Sequence, residues 1–225
     1  MRKILGILSF IMLFSSSIFA QHVKFKVSDI QAADPGTAQQ IEAVFKTMKL
    51  DIYNNDAVTI SNIDMMNGMS NTKVYYYSAK ESTVTCMDIM GQKIKVVPTA
   101  EEIKSMKAES DAKKTEVKKI DGDTKQFAGY SCQRYIVTTD GTTYDMYVAP
   151  DLKIGTKTIQ GLESVKLDGF PLEYTVDFGG NKVTITAESV EKDFDTSKIA
   201  EPTGKYKEMN FTDFKAQMGG MMGGQ

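Results

Sequence analysis

From residue 21 onward the apolar positions recur mostly at every second residue, the period of a strand with one buried face. The run "HVKFKVSDI" sets Val23, Phe25 and Val27 against His22, Lys24 and Lys26, which predicts a half-buried strand. Helical spacing follows. In "DPGTAQQIEAVFKTMKL", Thr37 and Gln40 stand as in a capping box, and Ile41, Val44, Phe45 and Met48 share one face, so an amphipathic helix is expected to pack on a sheet. A second capping box, Thr99 with Glu102, opens "TAEEIKSMKAES", whose apolar stripe is only Ile103 and Met106. "FTDFKAQM" reads as a short third helix near the end.

Between residues 57 and 98 the period is two again, through Val58 and Ile60, "KVYYYSA" and "TVTCMDIMGQKIKVVP". Pairing the last segment across Gly91-Gln92 sets Ile89 opposite Ile94 and Met87 opposite Val96 on an apolar face. Cys86, Asp88, Lys95 and Val97 share the wetter face, with Asp88 opposite Lys95. "DAKKTEVKKIDGDTK" is charged enough to be a solvated connection or an edge strand.

Asp140-Gly141 between alternating runs is a strong two-residue turn signal. Pairing across it puts Val137 opposite Tyr144, Tyr135 opposite Met146 and Gln133 opposite Val148 on a mostly apolar face. The other face carries Cys132 opposite Ala149, Arg134 opposite Tyr147 and Ile136 opposite Asp145, so Arg134 has a carboxylate on its diagonal and a ring beside it. In "FPLEYTVDFGGNKVTITAESV", a turn at Gly180-Asn181 brings Phe178 to Val183, Val176 to Ile185 and Tyr174 to Ala187. The segment between these hairpins, "DLKIGTKTIQGLESVKLDG", shows no period and reads as a loop. The fold class is therefore α+β: one strongly bent antiparallel sheet, an incomplete barrel, with two or three helices on its concave face. That concavity must be filled by helices and aromatic side chains or by a ligand.

The first residues place this domain. Arg2 and Lys3, the apolar run "ILGILSFIMLF" and "SSSIFA" follow the order of a cleaved secretory leader, with Ala20 at the expected cleavage point. This predicts a periplasmic or secreted protein without a membrane span after cleavage. Its parts are a leader over residues 1–20, a single domain over 21–215 and a Gly/Met-rich flexible tail over 216–225. Of 27 Lys and Arg, Arg2 and Lys3 leave with the leader, so the remainder is acidic against 29 Asp and Glu, and no basic patch invites nucleic acid.

Reactive side chains are few. The one histidine, His22, stands beside the new terminus, where order is usually poor, which argues against His-based triads and multi-His metal sites. No G-x-S-x-G, phosphate-binding loop or dinucleotide fingerprint occurs, and nothing implies a cofactor, so the protein is expected not to be an enzyme.

The order "AGYSCQRYIV", "TTYDMYVAPDLKIG" and "GFPLEYTV" resembles a group of uncharacterised envelope proteins. Their domain of unknown function is related to the lipoprotein carrier LolA and its receptor LolB, and the layout is also similar to the GLPGLI family. Gly129, Tyr130 and Cys132 match the family's Gly-Tyr-x-Cys strand, and Gly169, Phe170, Pro171 and Leu172 stand at its Gly/Pro/Leu segment. Ile199, Pro202, Gly204 and Tyr206 resemble its closing Pro-Gly-Tyr run, with Lys205 splitting the last pair. The resemblance implies a LolA-like half-barrel in the periplasm, whose better-known relatives carry acyl chains in the concavity.

Three groups of residues are candidates for sites. Tyr135, Val137, Tyr144, Met146, Val148, Tyr174, Val176, Phe178 and Ile185 form a face that is either core under helices or the lining of an apolar-ligand pocket. Cys86 and Cys132 are either a disulfide, which the compartment permits, or two packed thiols. Met65, Met66 and Met69, and Met218, Met221 and Met222, have spacings suited to a soft ion such as Cu(I), or to adaptable apolar contact. The expected function is a non-catalytic carrier or binding module for an acyl chain or other apolar ligand. The alternatives are an envelope interaction protein that meets an envelope protein partner through a sheet edge or the tail, and Cu(I) binding by methionines.

Overall fold

A computed structural model describes residues 20–36, 38–178 and 180–222 of the chain. The expected leader falls outside the described residues except for Ala20, and so does Thr37 of the first capping box. Twelve strands make one open, strongly curved sheet, accompanied by three helices. Strand β1 (Gln21–Gln31) is its seam. On one side runs the meander β2 (Lys49–Asn54), β3 (Val58–Met65), β4 (Ser70–Tyr77), β5 (Ser82–Ile89) and β6 (Gln92–Val96). On the other runs β7 (Thr115–Phe127), β8 (Tyr130–Thr139), β9 (Thr142–Ala149), β10 (Phe170–Phe178) and β11 (Asn181–Glu191). β1 joins the halves by pairing antiparallel with both β2 and β11. The charged β7 is one edge, as its composition predicts. At the other edge β12 (Lys207–Met209) lies parallel to β6, the one parallel pair in an otherwise antiparallel sheet.

The hairpin registers test the sequence pattern directly. β8 and β9 pair as the Asp140-Gly141 turn requires, with Val137↔Tyr144, Tyr135↔Met146 and Gln133↔Val148. The other two hairpins slip by two residues. Ile89 faces Gln92 and Met87 faces Ile94, so Asp88 pairs with Lys93 rather than Lys95. Val176 faces Val183 and Tyr174 faces Ile185. A two-residue turn of this kind needs positive φ at both central positions, and in β5–β6 these are Met90 (φ 52°) and Gly91 (φ 83°). A slip of two leaves every side chain on its expected face, because the pleat repeats every two residues.

The three helices form in the segments where the pattern put them. α1 (Ala38–Phe45) and α2 (Ala100–Ala112) contain no buried residue. The Thr99–Glu102 capping box is formed. α3 (Phe211–Met222) runs past the expected Met218 into the Gly/Met stretch. The apolar face of β1, β2 and β8–β11 is instead covered by residues 150–169, the segment read as a loop. From it Leu152, Ile154, Ile159, Leu162 and Val165 enter the same core as Tyr135, Val137, Met146, Val148, Tyr174, Val176 and Ile185. The expected α+β class, a curved open sheet with three helices, is present, and Phe45 of α1 packs against this core together with the irregular plug.

Part of the plug's backbone is satisfied internally. Amides of Ile159, Leu162 and Val165 each donate to the carbonyl three residues back, and the buried Thr156 hydroxyl lies 2.9 and 3.2 Å from the carbonyls of Leu162 and Val165. The opposite face of β2–β5 has its own cover. There Tyr53, Val58, Ile60, Tyr75, Val84 and Cys86 form a second cluster beneath Phe194, Ile199 and Tyr206.

Candidate binding cleft

The site is built from the two hairpins that the sequence marks most clearly. β9 and β10 pair from Phe170↔Ala149 to Tyr174↔Met146, across a bulge between Pro171 and Glu173, and there the pairing stops. Residues 142–145 of β9 and 175–178 of β10 remain bonded to their own hairpin partners but not to each other. The sheet therefore splits into a cleft of about 750 Å³, lined by Thr142, Thr143, Tyr144 and Asp145 on one side. Thr175, Val176, Asp177, Lys182 and Thr184 line the other, with Gln31 at the end. Each lip is a strand edge about 13 Å long at 3.3 Å per residue. Tyr144 closes the split from below, where its hydroxyl reaches Gly161 of the plug.

A second hollow of about 280 Å³ continues from the cleft and shares Asp145, Thr175 and Thr184 with it. Its floor is an ionic network. Arg134 forks onto Asp145 (Nε–Oδ1 2.9 Å, Nη2–Oδ2 2.6 Å) and reaches Asp123 with Nη1 at 3.1 Å. The Tyr147 hydroxyl donates to the other Asp123 oxygen at 2.9 Å. That donation and the guanidinium hold the Asp123 carboxyl below the usual range. The pairing with Asp145 is the one the hairpin register predicted. The cation on the Tyr147 ring, however, is Lys125, at 4.3 Å from the centroid, which also meets Glu173 at 3.4 Å. Thr186 donates to the second Glu173 oxygen, and Thr175 and Thr184 bond across the strands. Asp123, Asp145 and Glu173 each have a protein donor, so the network fixes shape and charge rather than presenting a free base.

The predicted ligand face is core. Val137 and Met146 are fully buried, Tyr135, Val148, Tyr174, Val176 and Ile185 are buried with them, and Tyr144 is half-buried. The side chain of Phe178 lies outside the described ones. Between this face and the plug remains a cavity of about 50 Å³, lined by Met48, Leu50, Ile63, Ile159, Tyr174 and Val176, among others. Thr158 also lines it, and its buried hydroxyl has no hydrogen-bond partner.

The cysteines are not bridged. Cys86 belongs to the second cluster and Cys132 to the first, with seven strands between β5 and β8 in the sheet order. A disulfide needs Cα atoms about 5.5 Å apart, and neighbouring strands alone are separated by about 4.8 Å. Nor is either thiol on a wet face: both are buried, which pushes Cys132 up to about 11 and raises Cys86 as well.

The sequence undervalues His22. It is 5% exposed, stacked on Tyr53 with centroids 4.2 Å apart. Nε2 lies 2.7 Å from Asp51 and Nδ1 3.3 Å from Glu191, whose other oxygen meets Lys24 at 2.6 Å. His22 thus ties β1 to β2 and β11. Period-two alternation marks it as polar, and only cross-strand register, with Tyr53 and Glu191 opposite it, shows that it is enclosed. No group of three or more His, Cys, Asp or Glu among the described residues is placed to hold a metal ion. No helix among them is long and apolar enough to cross a membrane.

The sequence pattern of a domain of unknown function, DUF4412, matches residues 37–157. That segment includes Gly129, Tyr130 and Cys132 but stops short of the Gly169–Leu172 run. No curated protein sequence matches the chain. Among solved structures, PNGF-II in two crystal forms is similar at 13% identity, with TM-scores of 0.52 and 0.53 over 88% of this chain. The chain spans only 32% of PNGF-II, so the likeness is one of fold to part of a larger protein. An uncharacterized conserved protein from Thermus thermophilus is more distant, at 6% identity and a TM-score of 0.36, over 86% of this chain and 91% of that one.

Proposed function

The chain belongs to the DUF4412 family, and on that premise we propose that it is a non-catalytic binding module of the cell envelope, taking an extended polypeptide segment of a partner into the cleft between its hairpins. The observation that carries this reading is the end of β9–β10 pairing at Met146↔Tyr174, which leaves two strand edges facing one cavity. An added strand satisfies such edges with main-chain hydrogen bonds, while pockets along the way read alternate side chains. The volume, about 750 Å³, lies within the roughly 300–1,000 Å³ of ligand sites. The flanking threonines and the Arg134 network favour a polar, extended occupant over an acyl chain. The envelope location rests on the leader-like residues 1–20.

The test is selection of short peptides against the purified protein, followed by amide hydrogen exchange of the bound form. Slowed exchange at residues 142–145 and 175–177 supports strand addition. A bound peptide that leaves those amides unchanged refutes it.

A second reading, the LolA-like carrier, has one observation of its own: the cavity beside the unpartnered Thr158 hydroxyl. At about 50 Å³ it is far below the size of a ligand site, so an acyl chain has to displace the plug. Native mass spectrometry and lipid extraction decide this. A co-purifying apolar ligand supports the carrier, and a ligand-free protein removes it.

A further inference from the structure

The methionines of "DMMNGM" are joined in the fold by a fourth from a distant part of the chain. Residues 66–68 turn the chain between β3 and β4, and Met69 closes this turn by donating its amide to the Met66 carbonyl. The β5–β6 turn lies against it, with the Met90 amide donating to the Met69 carbonyl at 2.8 Å. The backbones of Met66, Met69 and Met90 are thereby held in one short chain of hydrogen bonds. These residues are 46%, 47% and 74% exposed. Ile89 and Met90 lead off the same end of the sheet, so most of the exposed large apolar side chains of the described residues gather there.

Two of these methionines occupy costly positions. Met66 and Met90 take φ of 56° and 52°, in the left-handed region where Gly and Asn are favoured and a long side chain is unusual. Both positions lie in tight turns, so the fold requires the conformation there but not a long side chain. The polar neighbours suit a cation. Asp64 is the side chain nearest to where a Cβ on Gly68 would stand, and Asp88 caps the β5–β6 turn by accepting from the Gly91 amide at 3.1 Å.

We propose that Met66, Met69 and Met90 form a thioether site for a soft monovalent cation, Cu(I) or its surrogate Ag(I). Thioethers select Cu(I) over the harder divalent ions, and being uncharged they need lose no proton to bind. Three thioethers on two hydrogen-bonded turns are enough for a trigonal donor set, and the Asp64 carboxylate beside the first turn lowers the cost of bringing a positive charge to the tip. A partner or membrane that only wanted apolar contact would be served equally by leucine, and this separates the two occupants.

The experiment uses the full chain under anaerobic conditions, with Cu(I) partitioned against a chromogenic chelator. The Met66→Leu/Met69→Leu/Met90→Leu variant, which keeps the tip apolar, is expected to lose the tight equivalent that the wild type binds. A Met218→Leu/Met221→Leu/Met222→Leu variant is expected to retain it. Equal binding by the wild type and the tip variant, or no binding by either, overturns the site. Should the tip variant fail to fold, Ag(I) titration of the wild type with methyl-labelled methionine decides: the Met66, Met69 and Met90 methyl signals move together, or the proposal is wrong.

Discussion

Gly161 of the plug stands so close to Tyr144 of β9 that a Cβ at Gly161 would overlap the phenol oxygen. Its φ of +81° adds a second reason for glycine. Gly161→Ala is expected to destabilise the protein by about 2–4 kcal/mol, the left-handed penalty plus the cost of displacing the ring. Urea denaturation measures it. Because the clash is with one side chain, Tyr144→Ala should recover part of the loss, and a double-mutant cycle that finds the two changes additive would exclude this contact.

Arg134 is the hub of the cleft floor, and its planar fork meets two carboxylates. Lysine carries the charge but not the fork, so Arg134→Lys should speed amide exchange around Asp145 and Tyr147 nearly as much as Arg134→Gln. Full rescue by lysine would mean that charge alone matters.

Glu102 accepts from Thr212 through both amide and hydroxyl and from the Phe211 amide, as well as closing its own capping box on Thr99. The Thr212 hydroxyl and then the Thr99 amide hold it down to about 2. Its folded value is below the unfolded one, so the α2–α3 attachment is at full strength above the ordinary carboxylate range and is lost as pH falls toward about 2. The Phe211 and Thr212 amide signals should shift across that window in the wild type. In Glu102→Gln they should be displaced already at neutral pH.

The buried thiols of Cys86 and Cys132 should resist alkylation in the native state near pH 8, Cys132 because its thiol titrates near 11. Intact-mass measurement after alkylation in denaturant should add two labels without prior reduction. A single species lacking both labels would mean that the cysteines are bridged in solution.

These particulars show which levels of structure a lone sequence carries. The β8–β9 hairpin is legible to the residue because Asp140-Gly141 is a dipeptide that its turn favours. The β5–β6 turn is misplaced by one step because Met90 takes a conformation that its side chain disfavours. The plug is illegible for a deeper reason. Its apolar residues Leu152, Ile154, Ile159, Leu162 and Val165 follow no repeat, since a chain of tight turns has neither the period of a helix nor that of a strand. The cleft is hidden likewise. Both hairpins are visible in the pattern, but where two hairpins part is decided by a bulge between Pro171 and Glu173 and by sheet curvature.

The seam at β1 also has a kinetic meaning. Each half of the sheet, β2–β6 and β7–β11, is a meander that can form from neighbours in sequence. β1 must find a partner 151–169 residues away, the longest-range closure in the sheet and of the kind that slows folding. Residues 37–157, the stretch that defines the family, contain β2 to β9 and neither strand of that closure. During synthesis β1 therefore precedes its partner and waits, its edge toward β11 open, until residues 181–191 have been made. The contacts of His22 and Lys24 with Glu191 form only when that wait ends.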